Sequence, residues 1–156
     1  MQRQGLHPKQ SFRALKLIFY SLNTGLLLFF FVGIVMNDMA IPEFKEDMDI
    51  LTLVNIFLLG MIPLGYMLSS KKMSAIEQSD PFAKKFDQYQ VAMIIRWAMI
   101  EGVALLSIVG MILLEDAKQL VIFIICILVL SVNTVSKDKV VKGAKLNPDE
   151  ERALEN

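Results

Sequence analysis

Apolar residues in this chain come in four long blocks separated by short polar connections, not at the spaced positions of a water-soluble core. Leu17 to Met36 is broken only by Ser21, Asn23, Thr24 and glycines. Ile50 to Ser69 contains Thr52, Asn55, Gly60, Pro63 and Gly65. Val91 to Leu114 is 24 residues long, and Gln119 to Val135 is rich in Ile, Val and Leu. About 20 apolar residues in a helix cross the hydrocarbon core of a bilayer. Continuous length without turn signals selects helix even for the β-branched fourth block. The pattern predicts an all-α fold, a four-transmembrane-helix bundle with spans at about 17–36, 50–69, 91–114 and 119–135, forming a single polytopic membrane domain over 1–156. The first block exceeds the apolar core of a signal peptide, about 7–15 residues, and reads as a retained span.

The connections refine this picture. Residues 37–49 form an acidic loop in which Asp38, Glu43, Glu46, Asp47 and Asp49 face one Lys45, with Pro42 opposing a helical extension. Ser79-Asp80-Pro81 reads as a helix start, a capping side chain followed by proline in the first turn, so the third helix should begin near Pro81 and run to Leu114. Glu115-Asp116-Ala117-Lys118 reads as a tight turn. In the tail 136–156, Asn147-Pro148-Asp149-Glu150-Glu151 carries the cap, the proline and the acidic first turn of a short terminal helix.

Composition agrees with a membrane class. The chain is 54% hydrophobic with mean hydropathy +0.50, where soluble domains average about 45–50% apolar. Sixteen basic residues balance sixteen acidic ones, which gives no reason to expect a nucleic-acid partner. Their placement is uneven. Fourteen basic residues fall in the N-terminal segment, the second connection with Arg96, and the tail; Lys45 and Lys118 fall in the other two connections. The positive-inside rule then predicts both termini cytoplasmic.

Candidate chemistry concentrates on the third span, the one long apolar block with formal charges, Arg96 and Glu101. Such a charge costs about 2.5–3.5 kcal/mol at the centre of a span on insertion scales. Arg96 falls near the cytoplasmic boundary, where it can snorkel to phosphate with Trp97 as an aromatic interface anchor. Five residues separate it from Glu101, about 140° around the helix, so the two do not share a face. Glu101 lies about 9 Å deeper than Ile95. Asn23, Asn133 and Tyr66 fall in the same half of the membrane, and an intramembrane polar cluster around Glu101 with Asn23, Asn133 and Tyr66 is the expectation. Its role is interhelical glue, proton or ligand binding, or lipid-headgroup contact. Pro63, with Gly60 and Gly65, is either a hinge or a site of close packing. One histidine, His7, and one cysteine, Cys126, provide neither a metal-ligand set nor a Ser/His/Asp triad near the spans, and no nucleotide-binding or hydrolase motif occurs. No catalytic residue, metal site or cofactor is therefore expected.

The stretch Arg96-Trp97-Ala98-Met99-Ile100-Glu101-Gly102-Val103-Ala104-Leu105-Leu106, with the tail Asn147-Pro148-Asp149-Glu150-Glu151, resembles small uncharacterised four-helix membrane proteins of bacteria. That resemblance implies the fold and no activity. Glu101 through Leu114 also looks like the ion-carrying helix of the proteolipid subunits of rotary ATP synthases, although no span here carries their glycine ladder. The functional expectation is a non-enzymatic accessory or scaffolding subunit, packed with itself as a homo-oligomer or with a larger membrane-protein partner in the lipid bilayer. The alternatives are a small transporter, channel or proton-coupled subunit using Glu101, and a lipid- or quinone-binding protein using Trp97 and a cytoplasmic cavity.

Overall fold

The computed structural model describes residues 8–38 and 42–154. Arg3 and His7, and three residues of the acidic loop, lie outside the described residues. The described chain is all-helical: α1 (Pro8–Met36), α2 (Ile50–Ser74), α3 (Phe82–Leu114), α4 (Ala117–Val132), α5 (Lys137–Gly143) and α6 (Pro148–Ala153). No strand forms among the described residues; a single bridge pairs Glu43 with Asp116.

Three helices, α1, α2 and α3, are long and apolar enough to cross a membrane; there are four if α4 and α5, which meet at a 77° bend, make one broken span. All three long helices extend beyond the expected spans, because polar flanking turns continue the helix out of the apolar segment. α3 is the central element. It packs against α1, α2 and α4, and it buries Trp97, Ile100, Ala104 and Ile108 almost completely. α1 and α4 meet through stacked rings, Phe30 on Phe123 with centroids 4.2 Å apart. Large apolar side chains also point outward, among them Leu28 and Phe31 on α1, Phe57 and Met67 on α2, and Ile124 and Leu128 on α4. Water would not tolerate so broad an apolar belt on a lone domain, whereas acyl chains would.

Close approach of α2 to α3 requires Gly65, where a Cβ would lie 3.0–3.1 Å from Met99. Gly65 is thus a packing position. Gly60 faces open space, and α2 continues through Pro63 without interruption. At the start of α3 the backbone bends at Pro81, which occupies the N-cap with no side-chain cap. Asp80 does not cap the helix as expected. Its carboxylate instead takes the Lys84 ammonium at 2.7 Å. The α3–α4 turn is tight: Glu115 adopts a left-handed conformation (φ 50°), and Asp116 caps α4 by accepting the Lys118 N–H at 2.9 Å.

Each end of the bundle is tied down by loop contacts. At one end, the 42–49 segment is stitched over the α3–α4 turn. Ala117 N–H donates to the Glu43 carbonyl at 3.0 Å, and the Lys45 and Lys118 ammonium groups donate to the carbonyls of Leu114 and Asp47. At the other end, the tail folds back on the α2–α3 connection. Lys145 donates to the carbonyls of Ser74 and Ile76, and Gly143 packs so close to Tyr89 that a Cβ would fall 2.3 Å from its ring. α6 has the expected cap and more: Asn147 and Glu150 form a reciprocal capping box. Lys85, almost fully buried in the first turn of α3, pairs with Glu150 at 3.0 Å.

Candidate functional site

The site lies where α2, α3 and the end of α4 converge. Arg96 projects from α3 toward α2, where its Nε and Nη2 donate to Ser69 Oγ at 3.0 and 2.7 Å. Its Nη1 donates to Asn133 Oδ1 at 3.4 Å, and its guanidinium lies 4.4 Å above the Tyr66 ring. Asn133 Nδ2 donates to the Tyr66 hydroxyl and to the Val129 carbonyl. Arg96 thus sits at the hub of a network that joins three helices. A planar guanidinium suits this position because it donates in several directions and stacks on an aromatic face at once.

The sequence placed Tyr66 and Asn133 with Glu101; the structure joins them to Arg96 and to each other. Arg96 does not run outward as a simple interface anchor. Ser69, three residues past Tyr66 and fully buried, draws it between the helices. Trp97 is also turned inward. Its ring packs on Phe19 with centroids 5.0 Å apart, and its indole N–H donates to the Asn133 carbonyl at 3.3 Å, which satisfies a carbonyl at the end of α4.

Glu101 stands apart. It lines a hollow with Leu22, Asn23, Leu26, Trp97 and Leu130, too small for a water molecule, and an open groove on α1 with Leu17, Ser21 and Gly25. Asn23 shares the hollow, but its side-chain amide donates at 2.8 Å to the Phe19 carbonyl of its own helix. No described residue donates a hydrogen bond to the Glu101 carboxylate. The 140° between Arg96 and Glu101 explains the separation: one faces α2 and α4, the other α1.

A second polar cluster, unforeseen from sequence, lies near the opposite end. Gln119 of α4 is fully buried, accepts from Asn55 Nδ2 at 2.6 Å and donates to Thr52 Oγ at 2.8 Å. Gly110 of α3 makes room, since a Cβ there would fall 2.8 Å from the Gln119 amide. The signal was present in the sequence: Thr52 and Asn55 are three apart and share a helix face. Asp116 is also buried. Burial pushes its carboxyl up, but the Lys118 backbone N–H and ammonium outweigh that and hold it below the ordinary range. Its Oδ2 lies 3.0 Å from Lys118 Nζ, a charge contact more than an aligned hydrogen bond.

No protein-family model matches the chain, and no curated protein or solved structure matches it either. What the fold alone defines is a chain all-helical over the described residues, with three helices, or four with a bent last span, long and apolar enough to cross a bilayer, which is compatible with a multi-pass membrane protein.

Proposed function

We propose that this chain is a four-span protein of a bacterial inner membrane, both termini cytoplasmic, acting as a non-enzymatic accessory or scaffolding subunit that packs with itself or with a larger membrane partner. Orientation is supported by charge. The end that gathers the start of α1, the α2–α3 connection and the tail carries nearly all the basic residues, and Lys45 and Lys118 mark the other. The scaffolding role is supported above all by where the polar side chains inside the bundle point. Arg96, Tyr66, Asn133, Thr52 and Gln119 are each committed to another helix, the arrangement of groups that fix packing. Purification from membranes after mild cross-linking tests the reading. A homo-oligomer or a co-purifying partner at fixed stoichiometry is expected; a monodisperse monomer free of partners would overturn it.

A second reading, a small transporter, channel or proton-coupled subunit, is favoured by one observation: the Glu101 carboxylate faces the α1–α3 groove without a donor among the described residues. Reconstituted protein would then support flux that Glu101→Gln abolishes while the fold survives. Flux unaffected by that substitution removes the reading.

A further inference from the structure

A pocket of about 430 Å³ opens beside the Arg96 network, between α2, α3, the end of α4 and α5. Three cations line it, Arg96, Lys139 and Lys142, and among the described residues no carboxylate does. None of the three is ion-paired to an acid among the described residues. Lys139 Nζ is held by the carbonyls of Val132 and Thr134 at 2.7 and 3.2 Å, which occupies two of its three protons. Lys142 has no partner among the described residues. Arg96 is fixed by Ser69, Asn133 and Tyr66, all neutral, so its positive charge is oriented but uncompensated. Three fixed or semi-fixed cations around one hollow favour an anion.

Beyond Asn133 and the two tyrosines, the rest of the wall is apolar. Met73 and Met93 line the inner side, and Val132, strongly exposed, continues the outward apolar row of Ile124 and Leu128 on α4. A free anion gains nothing from such a wall. An amphiphile gains from both parts, with its charge among the cations and its chains on the row.

We propose that this pocket binds one anionic phospholipid, its headgroup phosphate held by Arg96, Lys139 and Lys142 and its acyl chains lying along the exposed face of α4. The proposal rests on the reading that the basic end of the bundle lies in the headgroup layer, where basic clusters attract anionic lipid. It does not depend on the accessory role.

Native mass spectrometry of the full-length protein in mild detergent, titrated with phosphatidylglycerol or with phosphatidylcholine of the same chains, tests it. One phosphatidylglycerol should be retained at about ten-fold lower concentration than phosphatidylcholine, by the electrostatic attraction of the three cations. Lys142→Gln should weaken retention, and Lys139→Gln with Lys142→Gln should lower it at least several-fold further. The Lys142 side chain has no hydrogen bond or ion pair to lose among the described residues, so its single variant keeps the test free of any folding defect at Lys139. Lys71→Gln with Lys72→Gln, exposed on α2 outside the pocket, should change nothing. Equal retention of the two lipids, or an equal loss in the Lys71/Lys72 variant, would overturn the site. So would millimolar inorganic phosphate displacing the lipid, which would assign the pocket to a free anion. Alkaline carbonate extraction separates the underlying reading: release of the protein from membranes overturns insertion itself, whereas a retained protein without lipid preference overturns the pocket alone.

Discussion

Lys85 and Glu150, 65 residues apart in sequence, meet at 3.0 and 3.3 Å at the basic end of the bundle, and the lysine is only 1% exposed. The same Glu150 carboxylate accepts the Asn147 N–H at 2.8 Å and closes the capping box of α6. One side chain therefore both starts the terminal helix and anchors it to α3. Removing one member of a buried pair leaves the other charge without compensation, a loss of about 3 kcal/mol or more. Glu150→Ala should release α6 first, seen as rapid protease cleavage near residues 145–154 while the apolar helices resist. Lys85→Met combined with Glu150→Leu should recover part of the lost stability, because an apolar pair of similar volume leaves no stranded charge. Equal protection of the wild-type and Glu150→Ala tails would show that the pair does not hold the segment.

Gly110 and Gly102 lie eight residues apart on α3 and should respond oppositely to alanine. At Gly110 a Cβ falls 2.8 Å from the buried Gln119 amide, which Asn55 and Thr52 hold in place. Overpacking of this kind costs about 1–3 kcal/mol. Gly102 has nothing within 4 Å of an added Cβ, and a helical glycine replaced by alanine gains about 0.5–1 kcal/mol. Thermal unfolding in detergent should place Gly110→Ala below the wild type and Gly102→Ala at or above it. A Gly110→Ala protein as stable as the wild type would mean that Gln119 can leave its network freely.

Much of this architecture was legible in the residues. The four apolar blocks located α1 to α4, and Asn147-Pro148 with the acids after them located α6 and its cap, because span length and cap chemistry are local properties. The polar contacts were less legible. Depth along a helix placed Asn23, Tyr66 and Asn133 in the same half of the membrane as Glu101, but depth does not fix azimuth. Tyr66 and Asn133 face the Arg96 side of α3, and Asn23 turns back on its own carbonyl. The Gln119 cluster was missed because each member reads singly as a polar interruption; what unites them is a crossing of α2, α3 and α4 that depends on glycine at position 110. Asp80 likewise had the identity of a cap but found a better partner four residues on, in Lys84.

Asp116 gives a pH dependence whose sign can be worked out. Its carboxyl, ordinarily near 3.8, is held lower in the folded chain: burial raises it, but the Lys118 backbone N–H and the Lys118 ammonium outweigh this. A depressed acid contributes stability that is present above its unfolded value and is lost as pH falls through the folded one. The contribution of the Asp116 cap should therefore be constant from neutral pH to about pH 4 and decline below that. Asp116→Asn keeps a capping oxygen and should flatten this acid limb. Asp116→Ala should cost about 0.5–2 kcal/mol at neutral pH, the range for loss of a helix cap. Parallel acid titrations of the three proteins, followed by circular dichroism, check the order; an Asn variant with an unchanged acid limb would place the effect elsewhere.

Glu101 supplies the sharpest separation between a structural and a functional carboxylate. A structural acid has a donor, and its removal strands that donor; Glu101 has none among the described residues, and its surroundings on α1 and α3 are mostly apolar. Keeping an acid at such a depth costs about 2.5–3.5 kcal/mol on insertion scales, less where it reaches toward the headgroups. Glu101→Leu should therefore stabilise the isolated protein, by about 1–2 kcal/mol after allowance for that partial exposure. Glu101→Gln should fall between it and the wild type. If Glu101 is kept for a task, proton uptake or contact with a partner helix, that task should fail in the same stabilised variant. Reversible unfolding in detergent, measured beside partner recovery and proteoliposome flux, reads both sides. A destabilised Glu101→Leu protein would mean that the acid is held by a hydrogen bond inside the bundle, and its candidacy as a functional group would end there.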